Sequence, residues 1–173
     1  KQSKERPVGE AQLQDMAAVL RKVCDLFRPQ AHEKGQTLQV DILDNPFVIA
    51  DRNDLEQIWT NLISNAIKYT PEGGRIDVTL QSEQDSIIGT VADSGIGIAD
   101  DDRQRLFEDF FRTDEAKESG AIGTGLGLSI VKQTLESYGG EISVASRLGH
   151  GSRFTFVLPK KPEPQEPDDA LPS

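Results

Sequence analysis

A change of hydrophobic period along the chain constrains its fold more than any other feature. Arg75–Gln81 (RIDVTLQ) and Ser86–Ala92 (SIIGTVA) alternate apolar and polar residues on either side of the polar turn SEQD. They predict a hairpin with one buried face. From Ala11 to about His32, by contrast, Leu13, Met16, Val19, Leu20, Val23, Leu26 and Phe27 recur at three- and four-residue spacing, the period of an amphipathic helix. A sheet with one apolar face and a helix with one apolar stripe bury those surfaces against each other. Thr37–Leu43 alternates and Phe47–Ala50 is a short apolar run after Pro46, so both predict strands. Asp51 is placed to cap a second helix that runs to about Tyr69 and stops before Pro71 and Gly73-Gly74. A third helix is predicted from about Thr124 to Ser137, ended by Gly139-Gly140. Strands at Glu141–Ala145 and Ser152–Leu158 follow, with the turn Gly149-His150-Gly151 between them. The expected architecture is an α+β two-layer sandwich: a mixed sheet with helices on one face.

Composition narrows what such a sandwich can do. The 173 residues suffice for one domain, and no apolar run reaches the roughly 18 residues that would cross a bilayer. The polar start KQSKERPVGE has no signal-peptide core, and a first residue other than Met suggests a fragment. A net charge of −10 argues against nucleic acid as a partner, because such binders neutralise many phosphates with clustered cations. Any polyphosphate must be held locally, by a metal ion, a few cations and backbone N–H groups. The single cysteine, Cys24, excludes a disulfide framework and a cysteine-rich zinc site. The stretch from Asp93 to Gly127 is rich in glycine and charge, with apolar residues only around Phe107, Phe110 and Phe111, and predicts a long functional loop. Five of the nine prolines lie from Pro159 onward, and that end is expected to be disordered.

Three sets of residues carry chemistry. Asn61, Asn65 and Lys68 lie within an arc of roughly 60° on the second helix, a polar stripe beside the apolar face of Leu55, Ile58, Trp59, Leu62 and Ala66. An ordinary solvated face would look similar, but two asparagines one turn apart are poor helix formers. Asp93 opens DSGIGI at the end of a strand. An ionised carboxylate only accepts, so it can take a hydrogen bond from the exocyclic amine of adenine and would face a carbonyl in guanine. Gly95 and Gly97, lacking Cβ, would let a base approach the backbone. Finally, Gly123-Thr124-Gly125-Leu126-Gly127 enters the third helix, where free N–H groups and the helix dipole favour a phosphate. Its spacing is neither the dinucleotide fingerprint nor a P-loop.

In order, NLISNAIKYT, DSGIGI, FEDFFR, GTGLGL and GHGSRF resemble the N-box, first glycine box, F-box, second glycine box and final glycine box of the histidine kinases. Their ATP-binding (Bergerat, or GHKL) fold is shared with gyrase B subunits, heat-shock chaperones and mismatch-repair ATPases. The resemblance covers about Glu10 to Pro159 and divides the chain into a linker (1–9), a catalytic domain (10–159) and a Pro-rich acidic tail (160–173). It implies that ATP is bound with Mg²⁺ on Asn65 and Asn61. Lys68 and Lys117 would contact phosphates, although a solvated charge is an equal reading of Lys117, and Tyr69 would lie near the nucleotide. Asp93 would read adenine, with Gly95, Gly97 and Ile98 lining the base pocket. Thr124, Gly125, Leu126 and Gly127 would wrap the phosphates, and Arg112 would approach the terminal phosphate as a catalytic cation. The segment from about Asp100 to Ile122 would be the ATP lid, with the three phenylalanines anchoring it or meeting a helical hairpin.

The resemblance further implies a cytoplasmic domain whose parent can be anchored in the inner membrane. That parent would be a homodimer phosphorylating a histidine on an upstream hairpin and feeding a response-regulator receiver domain, whereas this piece alone would be a monomer. Neither His32 nor His150 has the setting of the acceptor histidine. A degenerate nucleotide-gated binding module and an ATP-hydrolysing switch are the alternatives. The hydrolases carry a glutamate where Asn61 stands, and an amide cannot take a proton from water at neutral pH.

Overall fold

The computed structural model describes residues 11–118 and 127–161. Strands β2 (Thr37–Ile42), β4 (Arg75–Ser82), β5 (Ser86–Asp93), β6 (Glu141–Ser146) and β7 (Ser152–Pro159) form one sheet in the order β2-β4-β5-β7-β6. β2 runs parallel to β4 and every other pair is antiparallel, so the sheet is mixed, as the sequence predicts. Ile76, Val78, Leu80, Ile87, Gly89, Val91, Phe154, Phe156 and Leu158 are buried, while the residues that alternate with them remain partly accessible. Helices α1 (Met16–Glu33), α2 (Arg52–Tyr69) and α4 (Gly127–Ser137) cover that apolar face.

The N-terminal region differs from its sequence pattern. Helix α1 begins at Met16, and the four residues before it form β1 (Gln12–Asp15), antiparallel to β3 (Phe47–Ala50) in a separate two-stranded sheet. Leu13, part of the apolar helical series, is consequently exposed. Asp15 explains the boundary: its carboxylate accepts from the Ala18 N–H at 3.1 Å, satisfying a donor in the first helical turn. At the other end, Pro159 completes β7. Lys160, assigned to the tail by the resemblance, donates its N–H to Asp85 O and accepts from Ile49 N. Order therefore extends past the expected boundary because these bonds tie the end of the large sheet to the small one.

Helix α2 is held at both ends. Asp51 caps it as predicted, accepting from Asn53 N–H at 2.8 Å. Its last carbonyls are satisfied from the α1–β2 turn: Lys34 Nζ donates to Ile67 O and Lys68 O, and Gln36 Nε2 donates to Ile67 O and Thr70 O. Tyr138, just after α4, donates its hydroxyl to Asp54 Oδ2 at 2.6 Å and accepts from Asp51 N–H. Midway along α2, Trp59 meets Phe156 edge to face at 4.9 Å. Gly89 lies beneath this pair, where a Cβ would come within 2.3 Å of the Phe156 ring, which accounts for a glycine inside an otherwise β-forming run.

Candidate functional site

Between α2, the end of β5, the segment before α3 (Asp114–Glu118) and the start of α4 lies an open cavity of about 1010 Å³, including the space at its mouth. One wall is the stripe predicted on α2: Asn61, Asn65 and Lys68, with Tyr69 at its end. Asp93, Gly97 and Ile98 come from the strand end and the loop after it, Arg112 from the segment before α3, and Gly127 from the α4 entry. Ser152 and Phe154 of β7, together with Leu106, Phe111, Thr113 and Leu128, complete much of the lining.

Asp93 is the only carboxylate lining the cavity among the described residues. Burial pushes its pKa up to about 6, opposed by hydrogen bonds from the backbone N–H groups of Gly95 and Ser152; the Gly95 N–H lies 2.8 Å from Oδ1. At neutral pH it is therefore a predominantly ionised acceptor in a partly desolvated setting. On α2 the Asn61 side-chain nitrogen is buried and has no hydrogen-bond partner among the described residues. The O and N of an amide are assigned rather than distinguished, so the same group turned over would present its oxygen. A Cβ on Gly127 would stand only 3.5 Å from Asn61 Oδ1, so this helix entry lies against the first residue of the stripe.

The two loop glycines have a different physical reason from the one expected. A Cβ on Gly95 would fall 2.4 Å from Tyr69 O, and one on Gly97, whose φ is +71°, would fall 2.1 Å from Arg147 O. Protein backbone, rather than a ligand, excludes the side chains at both positions. Gly95 does not line the cavity, and its N–H serves the site by bonding Asp93. Lys117 is exposed and borders a neighbouring charged hollow with Asp102, Arg105, Glu108, Asp109 and Asp114, so it stands apart from the α2 wall. Thr124, Gly125 and Leu126 lie outside the described residues. The phenylalanines divide: Phe107 and Phe111 pack on the core, with the Arg105 guanidinium 4.4 Å over the Phe111 ring, whereas Phe110 is 71% exposed at φ +64°.

Serines 146 and 152 were not singled out by sequence. Ser152 belongs to the GHGSRF run, in which the glycines carry the pattern, and nothing local marks Ser146. Their importance appears only when the β6–β7 turn is folded onto the loop after β5. Ser146 Oγ accepts from Ile98 N–H at 2.8 Å, Gly149 N–H donates to Ile96 O, and a Cβ on Gly151 would collide with Asp93 O.

A helix-covered mixed sheet with a polar helix stripe facing a buried strand-end carboxylate defines a class of ATPase domain. The chain belongs to that family, described as histidine kinase-, DNA gyrase B-, and HSP90-like ATPase, which matches residues 50–162. Curated proteins similar to it include sensor proteins. It is 37% identical over 149 residues to the sensor protein SrrB of Staphylococcus aureus strain MRSA252, covering 86% of this chain and 26% of that protein. The chain thus spans about a quarter of the length of the curated relatives it matches.

Among solved structures, a catalytic domain of histidine kinase ThkA aligns with a TM-score of 0.79 at 31% identity, covering 89% of this chain and 98% of that one. Full-length ShkA, solved in complex with AMPPNP, aligns at 0.76 and 36% identity over 86% of this chain and 31% of that one. ThkA in complex with the response regulator protein TrrA aligns at 0.75 and 28% identity over 88% and 42% of the respective chains. No helix among the described residues is long and apolar enough to cross a membrane.

Proposed function

We propose that this domain binds ATP with Mg²⁺ and, within a longer homodimeric kinase, transfers the γ-phosphoryl to a histidine on a preceding hairpin. The observation that carries the proposal is that one cavity is lined by both a buried, mostly ionised Asp93 and the stripe of Asn61, Asn65 and Lys68. Asp93 supplies an acceptor for the adenine amine. The amides and ammonium supply the local phosphate handling that a chain of net charge −10 requires. Among the described residues there is no cluster of three His, Cys, Asp or Glu side chains able to hold a metal. A hard cation would draw on the amide oxygens of Asn65 and Asn61, on phosphate oxygens and on water, a donor set that suits Mg²⁺. When bound, it neutralises phosphate charge. Lys68, from α2, and Arg112, from the segment before α3, add positive charge to the cavity.

Transfer forms a bond from phosphorus to an imidazole nitrogen and breaks the bond to the β-phosphate oxygen, releasing ADP. The phosphoryl then passes to an aspartate of a receiver domain, a partner supported by the ThkA–TrrA complex. The amide at Asn61, in a cavity whose only described carboxylate is Asp93, favours transfer over activation of water. This piece, a monomer, binds ATP and turns over almost none.

Calorimetry with and without Mg²⁺ tests the binding reading. Asp93→Asn is expected to weaken ATP binding roughly 10- to 100-fold, the range for a hydrogen bond to a charged group, and Asn65→Ala to abolish the gain that Mg²⁺ confers. Unchanged affinity in the first variant would remove the adenine assignment, and a retained Mg²⁺ effect in the second would move the metal elsewhere. Sustained hydrolysis of ATP by the isolated chain would favour the hydrolase reading.

A further inference from the structure

The Ser146 hydroxyl makes three contacts, and counting its hydrogen atom fixes the direction of each. Its oxygen lies 2.8 Å from Ile98 N, 2.8 Å from Gly151 O and 2.8 Å from Ser152 Oγ. A serine hydroxyl has one proton to give and two lone pairs to accept with. The Ile98 N–H can only donate, so it occupies one lone pair. The Gly151 carbonyl can only accept, so it takes the single proton; otherwise two oxygens would face each other at 2.8 Å with no hydrogen between them. The remaining lone pair is left for Ser152, whose hydroxyl must be the donor.

This arrangement reaches the cavity. Ser152 is buried, lines the cavity beside Asp93, and its backbone N–H is bonded to the Asp93 carboxylate. With its proton committed to Ser146, Ser152 can offer a ligand only lone pairs. Asp93, when ionised, also offers only lone pairs. The base end of the cavity therefore presents two polar side chains of the same sense, both acceptors. Such a wall welcomes an exocyclic amine and repels a carbonyl at the same point.

We infer that Ser146, which does not itself line the cavity, is a specificity-determining positioning residue: by fixing the proton of Ser152 it makes the base pocket select adenine over guanine. The inference rests on the nucleotide-binding reading above. It assigns to Ser146 a role that a structural serine at a sheet end would not have. Removing the Ser146 oxygen frees the Ser152 proton, which can then rotate toward the cavity and donate to the O6 carbonyl of guanine.

The test measures the affinities of ADP and GDP, each with Mg²⁺, for the full chain and four variants. In the parent chain ADP should bind more tightly than GDP. Ser146→Ala should shrink the ADP-to-GDP preference roughly three- to tenfold, the worth of one neutral hydrogen bond whose sense is reversed, and should do so partly by improving GDP. Ser146→Thr, which keeps the hydroxyl, should restore the preference. In Ser152→Ala the rotatable hydroxyl is gone, so adding Ser146→Ala should change the preference no further.

A Ser146→Ala variant that weakens both nucleotides equally would overturn the inference, because a merely structural residue acts that way. If Ser146→Ala does not fold, the Ser152→Ala chain still decides: an unaltered ADP-to-GDP ratio would refute the assignment of Ser152 as a selective acceptor. A parent chain that binds neither nucleotide would instead refute the nucleotide reading beneath it.

Discussion

Asp93 is under two opposed demands, and the opposition is measurable. Burial raises its pKa from 3.8 to about 6, while the Gly95 and Ser152 N–H groups favour the ionised form. Since the folded-state value exceeds the unfolded one, the native state holds the extra proton between about pH 4 and 6. The contribution of this group to folding stability is thus fully present below the unfolded pKa and declines as pH rises through the folded pKa. Adenine binding has the reverse dependence, because the acceptor must be ionised. ADP affinity is expected to fall as pH drops from 7 to 5, and the fall should be absent in Asp93→Asn, where no proton can be gained. Calorimetric titrations of both proteins across this range check it; parallel pH profiles would show that Asp93 is not the titrating acceptor. The residue itself was legible from its place at a strand end ahead of two glycines. The reason for those glycines was not, because Arg147 O, which excludes a Cβ at Gly97, is contributed by a turn some fifty residues later.

At the level of elements, alternation and helical spacing foretold the β4–β5 hairpin, α2 and the mixed sheet, because each of those segments buries one face against a single neighbour. The same logic failed at Gln12–Asp15. Four residues are too few to separate a strand from the first turn of a helix by period, and Leu13 fits either. What decides is pairing with Phe47–Ala50, together with the Asp15 cap. Also invisible in the sequence was the support for the C-terminal end of α2. Gln36 is buried and spends its amide on Ile67 O and Thr70 O, at 2.9 and 2.6 Å, while Lys34 holds Ile67 O and Lys68 O. Tyr69, between these anchors, accepts from Ile96 N–H, so the clamp fixes both the nucleotide-facing stripe and the loop after Asp93. Gln36→Leu should cost about 1–3 kcal/mol in denaturant unfolding, the penalty for leaving a buried carbonyl, Thr70 O, without its donor while Ile67 O keeps Lys34. It should also weaken ADP binding, although residue 36 is far in sequence from the cavity lining. A loss of stability with unaltered ADP affinity would mean that the end of α2 tolerates displacement without disturbing the site.

For the whole molecule, the decisive quantity is the contrast between a net charge of −10 and a cavity whose described lining includes Lys68 and Arg112. Which of them an approaching nucleotide feels depends on distance and salt. At about 10 mM ionic strength the screening length is roughly 30 Å, enough to span a domain of this size, and at about 100 mM it is roughly 10 Å. In dilute salt, Mg²⁺-bound ATP, still an anion, is therefore repelled by the chain as a whole. At higher salt the distant carboxylates are screened first, while the cations lining the site still act over their short range. The association rate constant for Mg²⁺-ATP should accordingly rise, by roughly two- to fivefold between these conditions, where a nucleic-acid binder would show a steep fall. Stopped-flow mixing with a fluorescent ATP analogue at fixed free Mg²⁺ measures it directly. A rate constant that declines with salt would mean that Lys68 and Arg112 dominate the long-range field despite the net charge. In that case Lys68→Gln should lower the association rate at low salt, whereas under the repulsive field its effect should fall mainly on dissociation, after the nucleotide has come within reach of the α2 stripe.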